Sequence, residues 1–202
     1  MKNMKAAIYS GKESIEIRDL PTPVCGDNDV LIKNIYSSIC KADVAVFRNG
    51  PGTGHRIDIG GEFGHETISR VAAVGRNVTE FRVGDRVYPY PLYAKGDTRR
   101  AGTIGGFSEY ILIPDARLNH SLYRVDERIS DRLACLTEPF TVGCRAARRS
   151  APKQGERVRI LSAFSKYPSR VTAPFMPMAE RKRGRIFPGT GAVFGRCFLR
   201  RR

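Results

Sequence analysis

Residues 60–75 read GGEFGHETISRVAAVG. Thr67–Val74 is a β-like run closed by Gly75, and Val83-Gly84-Asp85 separates it from a second run, Arg86–Tyr90. Outward from there, Val30–Ser37 (VLIKNIYS) alternates in strand fashion, and Phe107–Pro114 is opened by Gly105-Gly106 and closed by Pro114. Lys5–Ser10 and Ser14–Asp19 flank Gly11-Lys12 as a hairpin, and Leu20-Pro21-Thr22-Pro23 ends that pattern. Many short strands with Gly and Asp turns predict a mainly β fold, a partly open β-barrel. Helical signals are fewer. Cys40–Phe47 makes two turns ahead of Asn49-Gly50. Ser130–Arg149 is longer, with Ser130 and Asp131 as N-caps and Arg145, Arg148 and Arg149 at its C-terminal end. Pro139 inside this stretch is expected to break or kink it.

The 202 residues carry a net charge of +15, which on its own suggests a nucleic-acid partner. Its distribution argues otherwise. Residues 1–156 hold 23 Lys+Arg against 19 Asp+Glu, whereas the 46 residues 157–202 hold 12 Lys+Arg and a single acid, Glu180. The expectation is a near-neutral body, 1–156, and a separate basic tail, 157–202. No apolar run approaches the ~20 residues of a membrane-spanning helix, and the first residues lack the apolar core of a signal peptide. A cytoplasmic protein is expected. Five widely spaced cysteines, Cys25, Cys40, Cys135, Cys144 and Cys197, fit reduced thiols. There is no C-x-x-C pair of the kind that closes a structural zinc site.

Three places hold candidate metal ligands: Cys40 in SICKAD, His65 in GEFGHE and Glu138 in LTEPF. Thiolate, imidazole and carboxylate are the donors of a catalytic zinc, which takes three protein ligands and keeps a position for water or substrate. By residue type alone a second reading stays open: a small buried thiol, a common dipeptide and a helix boundary. The separation between the three places is too long for a local motif.

Read as words, residues 4–156 resemble the N-terminal, GroES-like catalytic domain of the zinc-dependent medium-chain alcohol and polyol dehydrogenases. The resemblance runs in order through MKAAIY, DVLIKNIYSSICKAD, GGEFGHETISRVAAVG, VGDRVYPYP, GGFSEYILIP and LTEPFTVGCRAARR. It implies one catalytic zinc held by Cys40 and His65, with Glu66 and Glu138 as the acidic positions, and Asp43 as the acid that orients the ligand histidine. It also implies a small alcohol or polyol substrate and, in a full-length relative, NAD or NADP as the hydride acceptor. Two departures stand out. Ala42 occupies the position where the family usually has the Ser or Thr of a proton relay. Tyr88–Gly106 (YPYPLYAKGDTRRAGTIGG), where many members carry four structural-zinc cysteines, has none, so no structural zinc is expected.

After Gly155-Glu156-Arg157-Val158 the family continues into a Rossmann fold with a G-x-G-x-x-G turn. Here RILSAFSK follows, without glycine. The later cluster Gly189–Gly195 reads G-x-G-x-x-x-G, too long for the fingerprint and followed by only seven residues. The abrupt shift to Arg, Pro, Ser and Phe is the pattern of out-of-frame translation from near residue 158. A distinct natural tail and a basic binding arm are the alternatives. The leading functional expectation is thus the zinc-bearing domain of an alcohol or polyol dehydrogenase, truncated and inactive alone. The alternative is a non-catalytic zinc-binding or interaction fragment whose basic tail contacts nucleic acid. Without its partner domain, the body is expected to leave apolar surface exposed near Glu138-Pro139-Phe140.

Overall fold

A computed structural model describes residues 3–95, 103–151 and 153, together with the backbone of 157–162, 171–174 and 197–199. Contacts divide the chain into two units, Met1–Glu138 and Pro139–Arg202.

In the first unit, β1 (Asn3–Gly11) and β2 (Ser14–Pro21) form the expected antiparallel hairpin. A five-stranded antiparallel sheet is assembled from β3 (Val30–Ser38), β4 (Glu66–Val74), β5 (Arg86–Pro89), β6 (Tyr110–Ile113) and β7 (Leu122–Arg124), in the order β6-β3-β4-β5-β7. The two sheets are not closed into a continuous barrel. They are joined through the segment 107–113, which changes partner along its length. Phe107 and Glu109 exchange backbone hydrogen bonds with Ala7 and Lys5 of β1, and Ser108 bridges Ala6. From Tyr110 on, the same segment pairs with β3. This is why β6 starts three residues later than the alternation suggests: Phe107 still belongs to the turn after Gly105, Ser108 makes only an isolated bridge to β1, and Glu109 bends the chain between Lys5 of β1 and Asn34 of β3.

The strands form because their β-branched residues meet on one buried face. Val30, Ile32, Val71, Phe81, Val87, Ile104, Ile111, Ile113 and Leu122 make the principal core. Full burial of each such side chain stabilises by about 1.5–3 kcal/mol. Tyr9, Val46, Ile57 and Phe63 make a second cluster, with Phe107 against it, under the first helix.

That helix, α1 (Lys41–Asn49), begins with Cys40 as its N-cap and ends at Gly50, whose φ of 95° suits glycine. The predicted helix over 130–149 is interrupted, and the break falls ahead of the proline. α2 (Asp131–Ala134) ends, Cys135 and Leu136 turn, and α3 (Thr137–Ser150) restarts. A continuous helix would require an N–H on residue 139 and space beside the carbonyl of Cys135, and Pro139 offers neither. Restarting at Thr137 puts Pro139 in the first turn, where no intrahelical donor is needed. Thr137 Oγ1 donates to the Ala134 carbonyl across the break at 2.6 Å. Ser130 sits at the N-cap of α2 without a side-chain capping bond. Asp131 is drawn instead to the buried Arg86, at 2.6 Å.

The second unit contains the body of α3 and a small antiparallel sheet of β8 (Arg157–Ser162), β9 (Val171–Pro174) and β10 (Cys197–Leu199), in the order β10-β8-β9. The glycine cluster 189–195 and the basic run 181–185 lie outside the described residues. Near the end of the body Leu136, Phe140 and Val142 are exposed, Phe140 by 62%. Among the described residues no helix is long and apolar enough to cross a membrane.

Candidate metal centre

The site is created by strand register. β3 and β4 pair antiparallel with Ser38 opposite Glu66. The residue two beyond the end of that pair on one strand is Cys40, and the residue one before it on the other is His65. The same two strand ends therefore bring a thiol, an imidazole and a carboxylate together. The ligand atoms of Cys40, His65 and Glu66 all lie within 4.8 Å of one another, with His65 and Glu66 buried.

Two glycines make this approach feasible. Gly64 has a φ of +89°, and a Cβ there would strike the Phe107 ring at 2.8 Å. A Cβ on Gly106 would meet the His65 backbone nitrogen at 2.8 Å. The GGF turn thus packs directly on the strand end that carries His65.

α1 supplies the third wall. Asp43 stands one turn into the helix and is 1% exposed. Its Oδ2 accepts the backbone N–H of Cys40 at 2.8 Å, and its Oδ1 lies 3.1 Å from His65 Nδ1. A carboxylate only accepts, so this contact puts a proton on Nδ1 and leaves Nε2 to face the Cys40 side. Cys40 Sγ accepts the backbone N–H of Ala42 at 3.4 Å. Ser38 donates a short hydrogen bond from its hydroxyl to Glu66 Oε2.

Electrostatics follow from this enclosure. Burial pulls the His65 imidazole down, but its hydrogen bonds to Asp43 and Cys40 outweigh burial and push it up to about 10. In the metal-free chain His65 is therefore a cation, and a metal must displace its Nε2 proton. Burial pushes the Glu138 carboxyl up; the charge of His65 opposes this, while those of Glu66 and Asp43 add to it. Glu138 thus shares the electrostatic field of the cluster. The Tyr88 phenol is also raised, first by burial and then by Glu138, and its hydroxyl is buried without a hydrogen-bond partner.

One group in this neighbourhood has no counterpart in the sequence reading. Asp43, His55 and His65 form a second set of donor atoms within 4.8 Å of one another, all buried. Burial pushes His55 down to about 4, with the charge of His65 acting in the same direction and Asp43 against it. His55 is one of only three histidines in the chain, which is the sequence signal that could have flagged it. Ser38 carried no signal, because its role depends on cross-strand register with Glu66.

The donor set suits zinc. Bond lengths of about 2.0–2.3 Å imply ligand atoms roughly 3.5 Å apart in a tetrahedron, which atoms within 4.8 Å of one another can accommodate. Soft sulfur with imidazole nitrogen and carboxylate oxygen is a zinc combination rather than one for calcium or magnesium.

Comparison with known proteins bears on the family. Residues 26–122 match the family described as the alcohol dehydrogenase GroES-like domain. A sorbitol dehydrogenase of Bacillus subtilis is 30% identical over 177 residues, covering 79% of this chain and 49% of the relative. An L-threonine 3-dehydrogenase of Pectobacterium carotovorum is 32% identical over 145 residues, covering 64% and 41%. Among solved structures, the 2R,3R-butanediol dehydrogenase of Bacillus subtilis superposes with a TM-score of 0.64 at 27% identity, covering 76% of this chain and 49% of that one. The chain spans about half the length of the curated relatives it matches.

Proposed function

Because residues 26–122 belong to the alcohol dehydrogenase GroES-like domain family, we propose that this chain provides the zinc and substrate-oxygen half of an oxidoreductase acting on a small alcohol or polyol. NAD or NADP is the hydride acceptor in this reading. Cys40, His65 and Glu66 hold one zinc, and Glu138 is the further acidic position. The observation that carries the proposal is the convergence of the Cys40, His65 and Glu66 ligand atoms within 4.8 Å at the end of the β3–β4 pair.

Zinc held there supplies Lewis-acid polarisation of a substrate hydroxyl. The chain's own residues do the rest. Asp43 keeps the proton of His65 on Nδ1 and fixes the ring plane, so that Nε2 is the donor. The first turn of α1 holds the Cys40 sulfur in place through the Ala42 N–H. Ser38 sets the orientation of the Glu66 carboxylate. Ala42 presents only a methyl group, so the substrate proton leaves by water or another side chain. No cysteine occurs in Tyr88–Gly106, consistent with a single zinc. The 202 residues carry no G-x-G-x-x-G turn, and in this reading they bind metal without turning over alcohol on their own.

Metal analysis of the purified chain tests this directly. About one zinc per chain is expected, lost in Cys40→Ser and in His65→Ala, with no NAD(P)-linked alcohol oxidation. Zinc retained by both variants, or a count near two, refutes the assignment.

A further inference from the structure

We infer that His55 is a positioning residue for the metal centre, acting on both Asp43 and His65. This rests on the zinc reading above and extends it by one shell.

His55 lies on the turn Gly52–Ile57, between α1 and β4, and its side chain is 9% exposed. Its Nε2 lies 3.4 Å from Asp43 Oδ1, the same oxygen that receives His65 Nδ1 at 3.1 Å. The first contact has an ion-pair distance without hydrogen-bond alignment, and both ring nitrogens of His55 are otherwise without a partner. Its ring stands edge-on to His65, with centroids 4.6 Å apart and planes at 68°. Phe63, 6.1 Å away, lies on another side, itself stacked on Tyr9.

The backbone is built to hold the ring there. A Cβ on Gly54 would lie 2.5 Å from the Ala42 carbonyl, so the turn carrying His55 is pressed onto the first turn of α1. Leaving two imidazole nitrogens buried without hydrogen bonds is unfavourable. A leucine or phenylalanine would fill the same space without that cost. The polar ring is accounted for by what it faces. A small rotation aligns Nε2–H with Asp43 Oδ1, and the carboxylate is then fixed by three donors: Cys40 N–H, His65 Nδ1–H and His55 Nε2–H. The edge contact restrains the plane of His65 at the same time. Outer partners of this kind typically tune metal affinity 10–100-fold.

The test uses the full chain and two variants. His55→Gln keeps an N–H near the Nε2 position, and His55→Phe keeps the bulk and removes the donor. Zinc affinity is read by competition with a chromogenic chelator, and the Co(II)-substituted chain is read by its visible spectrum. His55→Phe is expected to weaken zinc binding roughly tenfold or more and to shift the cobalt bands, whereas His55→Gln stays within about threefold of wild type with unshifted bands. Equal affinity and spectra in wild type and His55→Phe overturn the inference, as does an equal loss in both variants. If His55→Phe does not fold, His55→Ala is read by the same criteria. A wild-type chain that binds no zinc sinks the zinc reading itself, and this is a different result from normal zinc binding that ignores His55.

Discussion

Asp43→Asn is the perturbation that probes the centre most directly. One buried carboxylate faces three groups: Cys40 N–H at 2.8 Å, His65 Nδ1 at 3.1 Å and His55 Nε2 at 3.4 Å. An asparagine has a single oxygen. Whichever way the amide is turned, its NH2 confronts either the Cys40 donor or the histidines. Leaving one buried donor unsatisfied costs about 1–3 kcal/mol, and the lost orientation of His65 should weaken zinc by roughly 10–100-fold. The metal-free chain gives a second readout. His65 rises from 6.5 to about 10 largely through Asp43, against the opposing effect of burial. A raised folded-state pKa means stability that is fully present below pH 6.5 and lost as pH climbs toward 10. At about 1.4 kcal/mol per pH unit, this bounds the loss at about 5 kcal/mol. In Asp43→Asn the Asp43 contribution is removed while that of Cys40 remains, and the alkaline loss should shrink. Urea unfolding in EDTA from pH 6 to 10 reads both chains. The stability gap between them should narrow steadily as pH rises. A pH-independent gap, with zinc affinity unchanged, would refute the argument that Asp43 holds His65.

Three further outcomes follow from the same structure. His55, depressed to about 4 by burial, contributes stability present above its unfolded value near 6.5 and lost as pH falls toward 4; the metal-free chain should therefore weaken over that window, and His55→Gln should lessen the slope in the same unfolding series. Gly106→Ala places a methyl group 2.8 Å from the His65 nitrogen, so it should destabilise the chain by roughly 1–3 kcal/mol and lower zinc affinity together, where Gly84→Ala, facing open space at a φ of +93°, should cost only backbone strain and leave zinc binding unchanged. Asp131→Ala removes one of the partners of the Arg86 guanidinium, whose side chain is 2% exposed and keeps the Asp126 carbonyl at 2.8 Å, and should cost about 1–3 kcal/mol by chemical denaturation, whereas Arg86→Met removes the buried charge and should cost less.

The parts of the fold that were legible in the sequence are those whose partners are local. The hairpin around Gly11 and the alternation in Val30–Ser37 and Thr67–Val74 carry their own period, and each formed strands within two residues of the expected limits at either end. Where chain segments choose between distant partners, the local signal misplaced the element. Phe107–Glu109 was expected as strand but is a turn, an isolated bridge to β1 and a bend, so only Tyr110–Ile113 joins the five-stranded sheet. β7 has three residues and no periodicity to detect, since its identity comes from pairing with β5. Pro139 was correctly read as a breaker, but it acts on the ladder behind it, and the helix stops at Ala134. The same distinction governs the site. Cys40 and His65, whose donor atoms the fold brings together, stood out as candidates because they sit in recognisable words at element ends. Ser38 and His55 gain their roles from the β3–β4 register and from the packing of Gly54 on α1, which no single stretch of sequence displays.

The charge balance of the cluster bears on the proposed metal site. Asp43, Glu66 and Glu138 are carboxyl groups close enough to influence one another, and Cys40 adds a thiol beside them. Burial of several acidic groups in a shared low-dielectric space is unfavourable unless positive charge accompanies them. Among the described residues the cation in contact with both Cys40 and Asp43 is His65, and its hydrogen bonds to these two groups raise it to about 10 against burial. One imidazolium offsets one acid. The Glu138 carboxyl is raised first by burial, with Glu66 and Asp43 adding to this and His65 opposing it. A divalent cation at the point where Cys40, His65 and Glu66 converge would supply two charges and release the proton from His65 Nε2. The arrangement therefore favours the metal-bound state most where the acids are fully ionised. Zinc affinity should accordingly rise with pH across the neutral range, as the protons that compete for the same donor atoms are removed.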